Sequence, residues 1–216
     1  MSILLYCITT ESASADVGPG VAGLPVLRRR EAGLDALFSQ NTSAENWTGA
    51  SLKQSAREFH NVLQRAFAAH AIVLFRFPTL MDGEDELVIH LRQNAAEYSA
   101  QLKKFENSVQ MDISIASLEP HFAASHTSGA EYLRTRQKQA DELHAVAKQI
   151  QEVAKETAQS WSDRPSSNHL KLFALVNRSS LGGFRERLKK ISVPPNCSVR
   201  VSGPWPVTEF LELKQR

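Results

Sequence analysis

Trp205 stands between Pro204 and Pro206 in the run R-V-S-G-P-W-P-V-T, Arg200 to Thr208, and no other stretch restricts the backbone of this chain so closely. Each proline fixes its own φ at about −65° and biases the residue before it toward extended geometry, so the indole is presented in nearly one backbone conformation. Val199 and Val201 alternate with polar neighbours just ahead of it, which places the clamped tryptophan at the end of a predicted strand. A side chain with so much apolar surface and one N–H to satisfy docks somewhere. It anchors either on the protein's own core, which the burial habits of tryptophan favour, or on a partner.

The 216 residues, 42% of them hydrophobic, are enough to bury a core in one large domain or two small ones. Twenty-five basic against twenty-three acidic side chains leave a formal charge of +2, too small to draw the chain onto nucleic acid or anionic lipid by field alone. Arg28, Arg29 and Arg30, and the pair Lys189 and Lys190, read as solvated charge. Cys7 and Cys197 are the only cysteines, which is no disulfide scaffold and points to a reducing cytosol. Ile3 to Ile8 followed by Ser12-Ala13-Ser14-Ala15 imitates a signal peptide but has no basic stretch ahead of it, and no apolar run reaches the ~18 residues of a membrane span. The sequons at Asn41, Asn46, Asn177 and Asn196 then read as chance matches.

Periodicity organises the rest. Ile3 to Ile8 is apolar on both faces, as a strand buried in the middle of a sheet would be. Leu24 to Arg28 and Leu34 to Phe38 are two strands joined through Glu31-Ala32-Gly33, where glycine can take the left-handed conformation of a tight hairpin. From Ser51 a helix shows Leu52, Ala56, Phe59, Leu63 and Ala66 at spacings of three and four. Ile72 to Phe77 predicts a central strand with Arg76 buried or at its rim, and acids at 82 and 84–86 open a second helix whose stripe is Leu87, Leu91, Ala95, Tyr98, Leu102 and Phe105. Val109, Met111, Ile113 and Ile115 alternate strictly, as in a half-exposed strand. After a joint at 120–127, a long helix runs from near Ser128 to near Trp161, broken by the segment holding Pro165. Leu170 to Val176 is a strand, a short helix capped by Ser180 carries Leu181, Phe184, Leu188 and Ile191, and Cys197, Val199 and Val201 form a last strand. The predicted fold is α+β in two domains, residues 1–122 and 123–216.

The search for chemistry returns little. Gly18, Gly20 and Gly23 spell G-x-G-x-x-G, but Pro19 sits inside it and Leu24-Pro25-Val26 continues as strand, so the strand-to-helix turn that cradles a pyrophosphate is missing. Of the seven histidines only His121 and His126 lie close together, with no acid or cysteine to complete a metal site. His60 lies one position from Phe59 at the edge of the first helix and reads as a helix-edge histidine bonded to a neighbour. No G-x-S-x-G, P-loop, C-x-x-C or H-E-x-x-H occurs.

Four stretches together resemble a known family, the gas vesicle accessory proteins F and L. They are Gly23-Leu24-Pro25-Val26 after the first strand; His60 followed by V-L-F-R-F-P-T, Val73 to Thr79; Ser128-Gly129-Ala130-Glu131-Tyr132-Leu133; and V-R-V-S-G-P-W-P, Val199 to Pro206. The chain departs from the family pattern at Phe75 and Pro78, and again after the last motif, where Val207, Thr208, Glu209 and Phe210 follow. The resemblance implies a ferredoxin-like α+β sandwich at the N-terminus, then a long helix and a smaller α+β domain. It also implies a non-enzymatic cytoplasmic role as an adaptor or chaperone in gas vesicle assembly. The implied partners are the hydrophobic shell protein and other accessory proteins, with no cofactor, metal, nucleic acid, membrane or small-molecule substrate. The residues it marks are His60, Arg76, Phe77, Thr79, Gly129, Tyr132, Leu133, Arg200, Gly203, Pro204, Trp205 and Pro206. Two other classes stay open from the residues alone: a small α+β enzyme of the oxygenase or isomerase kind using His60 or Arg76, and a ligand-binding regulatory module.

Overall fold

The apolar run at the start of the chain forms strand β1, Ile3–Thr9, and all its residues are buried. The computed structural model describes residues 2–10, 17–40, 49–118, 129–165 and 169–211. The chain divides into two units, Met1–Glu106 with Leu211–Arg216 and Asn107–Phe210.

In the first unit β1 is the middle of an antiparallel sheet, flanked by β3 (Leu34–Gln40), which pairs in turn with the outer strand β2 (Leu27–Glu31). The β2–β3 turn is Ala32-Gly33, both at positive φ (51° and 77°), as a two-residue hairpin requires. Helix α1 (Gly49–Ala69) lies on one face of β1, where Phe59 stacks at 5.0 Å on Tyr6. Helix α2 (Glu84–Lys104) covers the other, packing Leu87, Leu91, Tyr98 and Leu102 against Ile3, Leu5 and Phe38. Helices on both faces explain why β1 has no polar alternation. The α1 stripe differs from the predicted one: Leu52 is exposed and burial begins at Ser55.

Two predicted strands are displaced by local chemistry. Leu27 rather than Leu24 begins β2, because 17–26 form the glycine-rich loop. The predicted central strand Ile72 to Phe77 is reduced to β4 (Val73–Leu74), which with β5 (Leu80–Met81) makes a broken edge strand along β1. The reason is Pro78, which offers no N–H to a ladder. Phe75 N donates to Tyr6 O (3.1 Å) and Leu5 N to Thr79 O (3.0 Å), so residues 76–78 bulge out between two ladder bonds.

The second unit runs β6 (Ser108–Ser117), α3 (Gly129–Val153), β7 (Ala158–Pro165), β8 (His169–Asn177), α4 (Leu181–Leu188) and β9 (Cys197–Trp205). Its antiparallel sheet has the order β7-β8-β6-β9. This is the βαββαβ succession of a ferredoxin-like fold. The ferredoxin-like arrangement therefore belongs to the C-terminal unit and not, as predicted, to the N-terminal one. Likewise β6, predicted to close the first domain, pairs with β8 and β9, and the division falls after Glu106 instead of near residue 122.

Helix α3 ends at Val153, well short of Trp161. Thr157 donates its hydroxyl to Ala154 O (3.0 Å) in the closing turn, and the chain continues as the edge strand β7, whose last residue is Pro165. Val109, Met111, Ile113 and Ile115 face α3 and α4 together with their β8 partners Val176, Ala174, Leu172 and Leu170. Phe184, fully buried, fixes α4 and stacks at 6.2 Å on Trp161. Ser180 stands at the N-cap of α4 but makes no side-chain cap bond; the capping bond lies one turn earlier, where Asn177 Oδ1 accepts from Ser179 N (2.9 Å) and caps the 3-10 turn Arg178–Ser180.

Candidate functional site

The G-x-G-x-x-G loop is filled from within. Val21 N donates to Tyr6 Oη (3.0 Å), Tyr6 bonds Ser39 Oγ (2.9 Å), and Ser39 donates to Pro25 O (2.9 Å). Ala22 N donates to Glu58 Oε2 (2.8 Å), and a Cβ at Gly20 would fall 2.4 Å from the Tyr6 hydroxyl. Loop amides spent on a phenol and a carboxylate leave no phosphate cradle. Burial raises the Tyr6 pKa, in keeping with a phenol that stays protonated and structural. Tyr6→Phe leaves Val21 N buried without an acceptor; thermal unfolding of that variant is expected to show a loss of ~1–3 kcal/mol.

The residues marked by the family resemblance fall in three places. In the first unit, Arg76 and Phe77 form the bulge outside β4, closed by Thr79 Oγ1 donating to Arg76 O (2.7 Å). Phe77 turns back onto Phe59 (ring centroids 5.3 Å), while Arg76 is exposed rather than buried in a central strand. His60 is exposed on α1 beside the buried Phe59. In the second unit, Gly129, Tyr132 and Leu133 lie on the first turns of α3, where no residue from 129 to 138 is buried; Tyr132 is 39% and Leu133 67% exposed. Arg136 sits over the Tyr132 ring at 5.9 Å.

The third place is the end of β9. Arg200 is exposed opposite Ser114 of β6, and the register slips between Ser202 and Trp205, where Gly203 takes φ +118°. Only glycine fits there: an added Cβ would lie 2.9 Å from both Gln110 O and Met111 Sδ. Trp205 pairs with Gln110, which puts its ring on the face of the sheet opposite the one that packs on α3 and α4. The indole is half-buried there, Nε1 donating to Ser202 Oγ (3.4 Å), while Pro206 and Val207 are the buried residues after it. Arg185 of α4 donates to Gly203 O (2.8 Å).

Past Trp205 the chain crosses that face. Gln110 on β6 is 3% exposed, and its Oε1 accepts from Thr208 N (3.0 Å), Thr208 Oγ1 (3.2 Å) and Glu209 N (2.9 Å), while its Nε2 donates to Asp112 Oδ1 (2.8 Å). Burial raises the Asp112 carboxyl above the usual range, against the lowering effects of Gln110 and Lys171. Beyond Gln110, Glu209 meets Arg164 of β7 (2.7 Å). Gln110, Asp112, Arg164 and Glu209 escaped the sequence reading. Alternation put Gln110 on a polar face, and nothing local could say that a segment distant in sequence would cover it.

A last polar cluster lies on α2. His90 Nε2 shares a hydrogen bond with Tyr98 Oη (2.8 Å), Asn94 bonds the His90 carbonyl (2.8 Å), and Phe75 sits at 6.0 Å from the imidazole. Burial lowers the His90 pKa, opposed by Glu86, and pushes Tyr98 up to about 12. A histidine whose folded pKa is depressed stabilises the fold fully above its unfolded value, ~6.5, and that contribution is lost as pH falls below it. The melting temperature is expected to drop between pH 7 and 5, and His90→Gln to flatten that part of the profile.

Among the described residues no group of three or more His, Cys, Asp or Glu could hold a metal, and no helix is long and apolar enough to cross a membrane. Cys7 and Cys197 are buried and are not joined in a disulfide, and burial pushes the Cys7 thiol up to about 12. His121, His126, Ser128, Asn41 and Asn46 lie outside the described residues.

What the fold and these positions define is a two-unit α+β protein whose marked residues sit at bulges, on helices and at a sheet edge. The model of the family "Gas vesicle synthesis protein GvpL/GvpF" matches residues 2–212, so the chain belongs to the GvpL/GvpF family and has a role in gas vesicle formation. Its fold is similar to the crystal structure of the gas vesicle protein GvpF from Anabaena sp. PCC7120, with a TM-score of 0.79 at 13% identity over 95% of this chain and 93% of that one. It is also similar to GvpF from Microcystis aeruginosa, with a TM-score of 0.76 at 13% identity over 98% and 99% of the two chains. No curated protein matches the sequence.

Proposed function

We propose that this chain is a non-enzymatic cytoplasmic adaptor that holds the hydrophobic gas vesicle shell protein, alongside other accessory proteins, before the subunit joins the growing wall. A subunit that polymerises into a wall with one water-repelling face has to be shielded from random association beforehand. The observation that carries this reading is where the family-marked residues lie. Tyr132 and Leu133 are exposed on α3, Arg200 and Val201 on the outer strand β9, and Arg76 on the bulge, all positions from which a side chain meets a partner. His60 and Arg76 are both exposed, which weighs against the enzyme reading that needs them in a buried pocket.

The other outer strand, β2, contrasts with β9. Arg28 and Arg30 pair with the buried Asp35, and Arg29 with Glu84, so β2 carries a charged rim that discourages strand addition. The test is co-expression of the tagged full-length chain with the shell protein. Recovery of both in one complex at low and high salt is expected; recovery of the chain alone at every salt concentration contradicts the reading.

A further inference from the structure

We propose that the outer edge of β9 at Val199 and Val201 receives an extended strand from another protein, one that sets an acid opposite Arg200 between two apolar residues. The edge has this property whichever protein supplies the strand, so the inference stands apart from the adaptor reading.

The direction of each peptide group along β9 follows from its first bond to the neighbouring strand. Leu118 N donates to Asn196 O (2.8 Å), in register with the ladder that pairs Ser198 with Ala116, Arg200 with Ser114 and Ser202 with Asp112. In an antiparallel pair every second residue turns both its N–H and its C=O to the partner, so Ser198, Arg200 and Ser202 face β6 and the residues between them face away. Two bonds on the outer side agree with this: Cys197 N donates to Pro194 O (2.9 Å), and Gly203 O accepts from Arg185 (2.8 Å). Those bonds close the two ends of the edge. Between them Val199 and Val201 hold out two N–H and two C=O groups, and among the described residues no strand pairs along them. Val201 is 39% exposed, so another chain can reach these groups.

The side chains select the occupant. Val199 and Val201 lie opposite Ile115 and Ile113, on the face that packs on α3 and α4, and carry its apolar surface out to the edge. Arg200 lies on the other face, at the end of the cross-strand row Arg164, Lys171, Ser114, Arg200. All three cations of the row are exposed. At the far edge Arg164 is matched by Glu209 (2.7 Å), whereas Arg200 forms no ion pair among the described residues. An antiparallel strand added to β9 meets Arg200 at a non-hydrogen-bonded pair, where opposed side chains come closest, so an acid is favoured there. The same geometry disfavours a second copy of this chain: the two-fold register that bonds both valines sets Arg200 of one copy directly against Arg200 of the other. The occupant is therefore an extended segment of a different protein with the pattern apolar-acid-apolar, held by main-chain bonds and selected by the acid.

The probe is the acetylated peptide Thr-Val-Glu-Val-Thr, titrated into isotope-labelled full-length protein while amide shifts are followed by NMR. Shifts are expected to concentrate at 198–202, and to be lost when both valines of the peptide are N-methylated, which removes the facing donors without altering the protein. Lysine in place of the peptide's glutamate is expected to weaken binding about fivefold, and Arg200→Glu to reverse that preference. Val201→Pro removes one outward N–H while sparing the bonds to β6, and is expected to weaken binding about tenfold. Should that variant fail to unfold cooperatively, the N-methylated peptide makes the same test on the wild type. No shift at 198–202 up to the solubility of the peptide, equal binding of the N-methylated peptide, or a charge preference that Arg200→Glu leaves unreversed overturns the proposal. Concentration-dependent shifts at Val199 and Val201 in the protein alone would make a second copy the occupant and overturn it too. None of these outcomes involves capture of the shell protein, so this edge and the adaptor reading fail separately.

Discussion

Gly203→Ala is expected to lower the stability of the second unit by about 2–5 kcal/mol, the sum of a strained positive φ and an overpacked site. The added methyl meets Gln110 O and Met111 Sδ at 2.9 Å, and Gln110 O belongs to the backbone of β6, where no rotamer change can relieve the overlap. The damage is directional. The bulge at Gly203 sets how Trp205 and the following segment leave β9, so a shift there also misplaces Thr208 and Glu209 over the Gln110 amide. Thermal unfolding of wild type and variant measures the loss. Gly182→Ala, where a Cβ meets nothing within 4 Å, is the control that separates a cost of this site from a general cost of replacing glycine. In α4 the alanine is expected to be neutral or to add ~0.5–1 kcal/mol.

Phe184→Ala is expected to cost about 3–5 kcal/mol, the range for emptying a fully buried aromatic site. Phe184 is the one buried residue of α4, and its ring lies 6.2 Å from that of Trp161 on β7. Removing it leaves an eight-residue helix with no other buried side chain, and a helix so short does not persist without packing. Arg185 on that helix donates to Gly203 O, so the variant should also loosen the end of β9. Faster amide exchange at 181–188 and at 202–205, with the first unit unaffected, is the pattern that checks this. Leu188→Ala, on the same helix at a half-buried position, should cost less.

The elements that were legible in the sequence share one property: their hydrophobic pattern was set by a single neighbour or by neighbours on both faces. Ile3 to Thr9 is apolar throughout because α1 and α2 cover both its sides. Ile113 and Ile115 alternate with Asp112 and Ser114 because only one face of that part of β6 meets helices. The failures occurred where a chain-breaking residue or a distant segment decided the outcome. Ile72 to Phe77 carries the apolar signature of a long strand, but Pro78 limits it to Val73–Leu74 and turns a predicted central strand into an edge. Ala158–Pro165 divides in the sequence reading between the tail of a helix ending near Trp161 and the break that follows, because its exposed edge-strand pattern lacks any apolar alternation; only pairing with β8 makes it a strand. Without that strand the βαββαβ order of the second unit has no pattern in the sequence to correct the N-terminal ferredoxin-like placement that the family resemblance implies.

The site was legible in part. The motif residues Arg200, Gly203, Pro204, Trp205 and Pro206 announce a rigid end to a strand, and they lie at the bulged end of β9. The polar groups that hold this segment, Gln110 and Arg164, carry no local signal, since each reads as one more polar residue on a solvated face until Thr208 and Glu209 arrive over it.

The account stands on the claim that the proline-flanked indole serves docking. Trp205→Ala in the full-length chain, co-expressed with the shell protein, tests it most directly, because the ring is half-buried and its removal leaves Gln110 and Gly203 in place. The account predicts a variant that still unfolds cooperatively but retains less than a tenth of the wild-type shell-protein capture. Undiminished capture by a folded Trp205→Ala chain would contradict it.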